Sequence, residues 1–301
     1  MTMTTNITDT SELQALAARH GLQIRGPLTL NEVGLDYRVA IATAEDGVRW
    51  VLRVPRRAEV SAKVEKEAQV LAMLRAHLPF NVPNWRVATP ELVTYPMLED
   101  STAIIVHPNA APEWIIAQDS EAFVKSLAVA IAALHAVPIA SAEAAGMIVR
   151  TPEQARQKVA DDIDRVRREL AVNEGRLLRW QRWLDDDSSW PDFCVVVHGD
   201  LYVGHVLVDH TEHVTGMIDW SEARVDDASI DMISHLMAFG EAGLSKLIHE
   251  YEAAGGRVWP RMAHHITERL ATSPVTYALF GLESGDAEHL ATAKAQLAAE
   301  E

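Results

Sequence analysis

The residues best placed to do chemistry lie in one stretch, Val195-Val196-Val197-His198-Gly199-Asp200-Leu201-Tyr202-Val203-Gly204-His205-Val206-Leu207-Val208, followed by Met217-Ile218-Asp219-Trp220. An apolar run leads into a turn that presents Asp200. A second run starts at His205, and a third ends in Asp219. Such spacing suits phosphoryl transfer: one carboxylate takes the proton of an attacking hydroxyl, and two further groups hold a divalent cation against nucleotide phosphates. Asp200 is the candidate base, and His205 and Asp219 are the candidate ligands for Mg²⁺. A His-Gly-Asp tripeptide alone is weak, and the later His205 and Asp219 give it weight. His205 stays open between two roles, because an imidazole nitrogen is a softer donor than the oxygens Mg²⁺ prefers. It either ligates the ion or supports a ligand by hydrogen bonding. His198 reads as a brace for the loop.

Arg53 and Glu67 form a second pair. Alternation along Trp50 to Val54 puts Val51 and Arg53 on one face, with Trp50, Leu52 and Val54 on the other. Glu67 falls on the apolar stripe of the following helix, where a carboxylate needs a partner. Arg53 would supply it while touching nucleotide phosphates, and a solvated pair with Lys63 is the alternative. The segment Gly34-Leu35-Asp36-Tyr37 could cover phosphates, although one glycine makes a poor phosphate loop. Asp231 is expected to anchor the loop or cap a helix. His107, His264 and His265 read as structural, Trp180 and Trp183 as packing residues. Met237, Phe239, Tyr277 and Phe280 are core candidates that could instead line an apolar substrate wall.

The elements that must position these groups divide the chain in two. Residues 1–98 read as a strand-rich lobe with one long helix over Ala58 to Leu78, and residues 99–301 as a helix-rich lobe. Helices are predicted at Phe123 to Leu134, Ala155 to Leu170, Ser229 to Phe239, Leu244 to Ala254, Trp259 to Leu282 and Asp286 to Glu300. A ligand would sit between the lobes.

Composition bounds the function classes. The chain has 301 residues, 48% of them apolar, so a large core is available. Its formal charge of −16 argues against a nucleic-acid partner. A lone cysteine, Cys194 in an apolar run, allows no internal disulfide and fits a reducing cytosol. No signal peptide or membrane-length apolar run is visible, so a cytoplasmic location without a membrane partner is expected.

With these motifs in view, the chain resembles the macrolide 2′-phosphotransferases, a branch of the aminoglycoside-phosphotransferase group in the kinase-like superfamily. The resemblance rests on Val197 to Leu207, on Gly216-Met217-Ile218-Asp219-Trp220-Ser221-Glu222-Ala223-Arg224, and on Trp50-Val51-Leu52-Arg53-Val54-Pro55-Arg56-Arg57. It implies an α+β, bilobal protein-kinase-like fold. It also implies transfer of the γ-phosphoryl group from GTP, with ATP as the other donor, to the desosamine 2′-hydroxyl of fourteen- to sixteen-membered macrolides, inactivating these antibiotics. Asp200 would be the base, His205 and Asp219 the Mg²⁺ ligands. Arg53, Glu67, Gly34, Asp36, Tyr95, Met97 and Leu98 would serve the nucleotide, with the hinge at Tyr95 to Leu98 meeting the guanine. Asp200, Tyr202, Met237, Phe239 and Tyr277 would meet the acceptor. Arg53 and His205 stand where the wider superfamily has Lys and Asn. A mobile pocket lined by Met97, Met147, Met232 and Met237 would tolerate several ring sizes. A monomer is expected. The rival readings are a kinase of aminoglycosides or small amino alcohols, and a silent nucleotide-binding module.

Overall fold

The computed structural model describes residues 10–31, 36–107 and 110–300. Its N-terminal part runs α1 (Thr10–Arg19), β1 (Ile24–Asn31), β2 (Tyr37–Ala44), β3 (Arg49–Pro55), α2 (Ala58–Ser61), α3 (Val64–His77), β4 (Val87–Ala88) and β5 (Val93–Pro96). The strands form one antiparallel sheet in the order β1-β2-β3-β5-β4. Its two faces serve different purposes. Ala40, Ala42, Leu52 and Val54 pack against Leu13, Leu16 and Ala17 of α1. Tyr37, Val93 and Tyr95, with Val51 beside them, meet Val60 of α2 and Val64 of α3. The period-two alternation of β3 therefore aims Arg53 at the α3 side, as the sequence predicts.

The single helix expected over Ala58 to Leu78 is two, broken at Ala62 and Lys63. Val60 and Val64, on either side of the break, both reach the sheet. Further along α3, Val70, Leu71 and Leu74 join the main core together with Phe123, Leu127, Ile131, Val196 and Met217. Each large apolar side chain so buried contributes about 1.5–3 kcal/mol, more than an ion pair at this distance from water, so burial sets the position of α3. A parallel bridge reinforces it: Asn81 N–H donates to Thr215 O (2.8 Å), and Met217 N–H donates to Asn81 O (2.9 Å).

Next come β6 (Ser101–Thr102), β7 (Ile104–Ile105), β8 (Glu113–Trp114), α4 (Glu121–His135), α5 (Ile139–Ala144), α6 (Pro152–Glu169) and α7 (Glu174–Asp185). Thr151 and Gln154 close a capping box on α6, with Pro152 in its first turn. The chemistry-bearing strands are short and buried: β9 (Val195–Val197), β10 (Val206–Val208), β11 (Val214–Met217) and β12 (Arg224–Asp226). They pair as β11-β10-β6 and β12-β9. The chain closes with α8 (Ile233–Ala253), α9 (Met262–Ala271), α10 (Ser273–Ser284) and α11 (Ala287–Ala298). The helix predicted from Ser229 starts as a 3-10 turn, Ala228–Met232, and α8 is interrupted at Gly240. The segment predicted from Trp259 to Leu282 is α9 plus α10. No described helix is long and apolar enough to cross a membrane.

Candidate active site

The turn after β9 is built so that Asp200 is held from behind and open in front. Gly199 adopts φ 87°, and a Cβ there would lie 2.3 Å from the Glu222 carbonyl oxygen, so only glycine fits. The buried Asp231 carboxylate accepts the His198 N–H (2.9 Å) and the Gly199 N–H (2.9 Å). His198 Nε2–H donates to Ile218 O (2.9 Å), while its Nδ1 accepts the Asp200 N–H (3.3 Å). Burial pushes the His198 imidazole down to about 4, keeping it neutral for both bonds. The expected brace and the expected anchor are thus both in place. The Asp200 side chain is 59% exposed. Its carboxyl is raised above the ordinary range, first by partial burial and then by the Asp219 and Glu222 carboxylates, against an opposing effect of His205. That direction suits a general base.

His205 and Asp219 face one another across the loop. His205 Nδ1–H donates to Asp200 O (2.8 Å), and its Nε2 lies 3.7 Å from Asp219 Oδ2. His205 Nδ1 also lies 3.6 Å from Asp200 Oδ2. Tyr202 packs edge-on against the imidazole, with ring centroids 4.3 Å apart. Asp219 holds φ 63°, a left-handed conformation Asp tolerates better than most residues. Among the described residues no three His, Cys, Asp or Glu side chains form a ready-made metal cage. With Nδ1 engaged by the Asp200 carbonyl, His205 Nε2 and the Asp219 carboxylate are the groups left to hold a cation. Mg²⁺ commonly takes one or two protein ligands and completes its shell with phosphates and water, so the residues present fit it.

Arg53 completes the constellation. Its guanidinium is 3.9 Å from Glu67 Oε1 and 3.8 Å from Asp219 Oδ1, and it stacks 4.0 Å over the Tyr37 ring. Both Arg53 and Glu67 are largely buried, at 13% and 10% side-chain exposure. Burial pushes the Glu67 carboxyl up to about 7 despite Arg53, with the Asp219 carboxylate adding to the rise. The Glu67 partner is therefore Arg53.

A cleft of about 1090 Å³ runs past this cluster. Asp36, Tyr37, Glu67, Asp200, Met237, Thr276, Tyr277 and Phe280 are among the residues that line it. Of the acceptor candidates, Met237 is 69% exposed, and Tyr277 bonds His289 Nδ1 through its hydroxyl (2.8 Å). Phe239 does not line the cleft. It packs against Trp114, Phe123 and His235, because two residues' step along a helix, about 200°, puts its side chain nearly opposite Met237. Of the four methionines, Met147 and Met237 line the cleft, whereas Met232 is fully buried and Met97 lies elsewhere.

Around the proposed hinge, Tyr95 is buried with its hydroxyl against Arg53. The Met97 N–H already donates to Arg49 O (2.8 Å), so that amide is not free for a purine edge. Leu98 follows it, half-buried. Asp36 pairs with Arg57, and Gly34 falls outside the described residues. Sequence reasoning missed the charged floor of the cleft, where Arg150 and Arg224 share Asp226 at 2.6 and 2.8 Å. The adjacent Arg224 and Asp226, spaced by two on a strand, were the available signal.

A model of the phosphotransferase enzyme family matches residues 28–265. The solved structure of a macrolide 2′-phosphotransferase type I superposes with a TM-score of 0.94 at 71% identity, covering all of both chains. The apoenzyme of macrolide 2′-phosphotransferase MphH from Brachybacterium faecium superposes at 0.91 with 40% identity, over 97% of this chain and 99% of that one. An uncharacterised protein, YcbJ, of Bacillus subtilis strain 168 is 39% identical over 285 residues, 93% of each chain. With this family match spanning most of the sequence and these full-length likenesses, the chain belongs to the phosphotransferase enzyme family, on its macrolide 2′-phosphotransferase branch.

Proposed function

We propose that the protein transfers the γ-phosphoryl group of a nucleoside triphosphate, GTP before ATP, to the 2′-hydroxyl of a macrolide's desosamine sugar. The observation that carries this reading is the exposed Asp200 carboxylate between the His205–Asp219 pair and the cleft. Asp200 Oδ accepts the hydroxyl proton as the oxygen–phosphorus bond forms and the bond from the γ-phosphorus to the β–γ bridging oxygen breaks, releasing the nucleoside diphosphate. Arg53, held by Glu67 and Tyr37, meets the phosphates. His205 Nε2 and Asp219 would hold Mg²⁺, which neutralises charge on the phosphates when bound.

The cleft volume, about 1090 Å³, lies just above the range for small-molecule sites, roughly 300–1000 Å³, as a bulky lactone needs. Its exposed apolar residues Met237 and Ile148 suit a ring face. The net charge of −16 favours a cationic amino sugar. Cytoplasmic action as a monomer completes the reading. The test is diphosphate release with GTP and with ATP, each with and without erythromycin. Release that needs erythromycin and is faster with GTP supports the proposal. Release driven equally by an aminoglycoside, or by no acceptor, overturns it.

A further inference from the structure

Behind the catalytic loop lies a buried chain of hydrogen bonds that the transfer step itself does not use. Asp231 Oδ2, besides accepting the His198 N–H, faces His135 Nε2 at 3.2 Å. On its other side, His135 Nδ1 faces the Tyr251 hydroxyl at 2.8 Å. Asp231 is ionised, its carboxyl lowered by His135 and by the loop amides against the cost of burial, so it accepts only. His135 Nε2 must then donate to it, and Nδ1 shares a hydrogen bond with the Tyr251 hydroxyl. The chain links the Tyr251 hydroxyl through His135 to Asp231, which also accepts the two backbone N–H groups of the loop.

All three groups are shut off from water: the side chains of His135 and Asp231 are 2% and 0% exposed, and Tyr251 is 0% exposed. They come from three separate elements: the last residue of α4, the turn before α8, and the far end of α8. The hydroxyl is fixed from outside as well. A Cβ on Gly256 would lie 2.2 Å from the Tyr251 ring, so the chain after α8 closes tightly over it. A packing role would need only apolar volume here. A donor and an acceptor in sequence, each matched, is a device for holding a carboxylate at one place and in one rotamer.

We propose that His135 and Tyr251 are positioning residues: their relay fixes Asp231, and through it the backbone at His198 and Gly199 that sets where Asp200 meets the acceptor hydroxyl. This rests on the reading of Asp200 as the base. No ligand is touched, so the relay acts on turnover rather than on binding.

The experiment compares steady-state kinetics of the intact protein with GTP and erythromycin for wild type, Tyr251→Phe, His135→Gln, His135→Leu and Asp200→Asn, with melting temperatures alongside. Tyr251→Phe removes one oxygen and leaves the ring packing. It is expected to lower kcat about three- to tenfold, the scale of one neutral hydrogen bond, with both KM values within about twofold. His135→Gln keeps an N–H donor and an oxygen acceptor and is expected to retain most of kcat. His135→Leu is expected to lose about tenfold or more. Amide exchange at Gly199 should quicken in Tyr251→Phe while exchange in α6 stays unchanged. Equal kcat for Tyr251→Phe and wild type overturns the relay even if the His135 variants fail to fold. So does equal kcat for His135→Gln and His135→Leu. If Asp200→Asn keeps full activity, the reading of the base fails instead, which separates the two claims.

Discussion

At the scale of single residues, the site is governed by contacts that admit little substitution. Arg53→Lys replaces a planar fork by a point charge. The guanidinium spans from Glu67 to Asp219 at 3.9 and 3.8 Å, and an ammonium cannot reach both while lying over Tyr37. We expect the KM for the nucleotide to rise about tenfold with the macrolide KM unchanged, measured by initial rates. Gly199→Ala forces a Cβ to 2.3 Å from the Glu222 carbonyl in a left-handed conformation. A loss of about 1–3 kcal/mol of stability and most of the activity is expected, read by denaturant titration and assay. At this scale the sequence was informative because the chemistry imposes residue types. Asp200, His205 and Asp219 converge as their spacing implied, and β alternation correctly sent Arg53 toward Glu67. His135 and Tyr251 left no such trace. A lone His at the end of an apolar helix and a Tyr 116 positions away are linked only by folding.

At the scale of elements, α3 is shared between the two parts of the molecule. Its first turn touches the sheet, and its remaining apolar residues belong to the core of the C-terminal helices. The bridge at Asn81 joins the segment after α3 to β11, two residues before Asp219. Glu67 and Asp219 are therefore carried on one packed body, and Arg53 arrives on the sheet. Amide exchange should show α3 from Val70 onward protected together with α4, with β1–β3 opening at lower free energy. Exchange of α3 in step with the sheet would contradict that division. Periodicity located the helix but not its break, because Val60 and Val64 fit both one long helix and two short ones. It placed Met237 and Phe239 together as wall candidates, whereas helical positions two apart are turned about 200° and face nearly opposite ways. The hinge reading was limited for another reason: which amide is free depends on sheet register, and Met97 is bonded to Arg49.

At the scale of the whole molecule, buried titratable groups tie stability to pH. His235 is 4% exposed and pushed by burial down to about 4. In the unfolded chain it titrates near 6.5 and takes up a proton that the folded state refuses, so its contribution is complete above 6.5 and declines as pH falls toward 4. The loss is on the order of 2 kcal/mol at about pH 5. Asp227, bonded to His265 and Arg269 at 2.6 Å each, has a carboxyl held far below the ordinary range. Its contribution is present above the unfolded carboxyl pKa and fades in stronger acid. Melting temperature should fall from about pH 7.5 to about pH 5 in wild type, and His235→Leu should flatten that slope. An unaltered slope would remove His235 from the explanation.

The central claim is that Asp200 takes the acceptor proton during phosphoryl transfer. It is tested most directly by macrolide-dependent GDP release from wild type and Asp200→Asn at saturating GTP and erythromycin, with GTP affinity measured separately. The account expects kcat to fall by about 10² or more with nucleotide affinity unchanged. A variant as fast as wild type would contradict it.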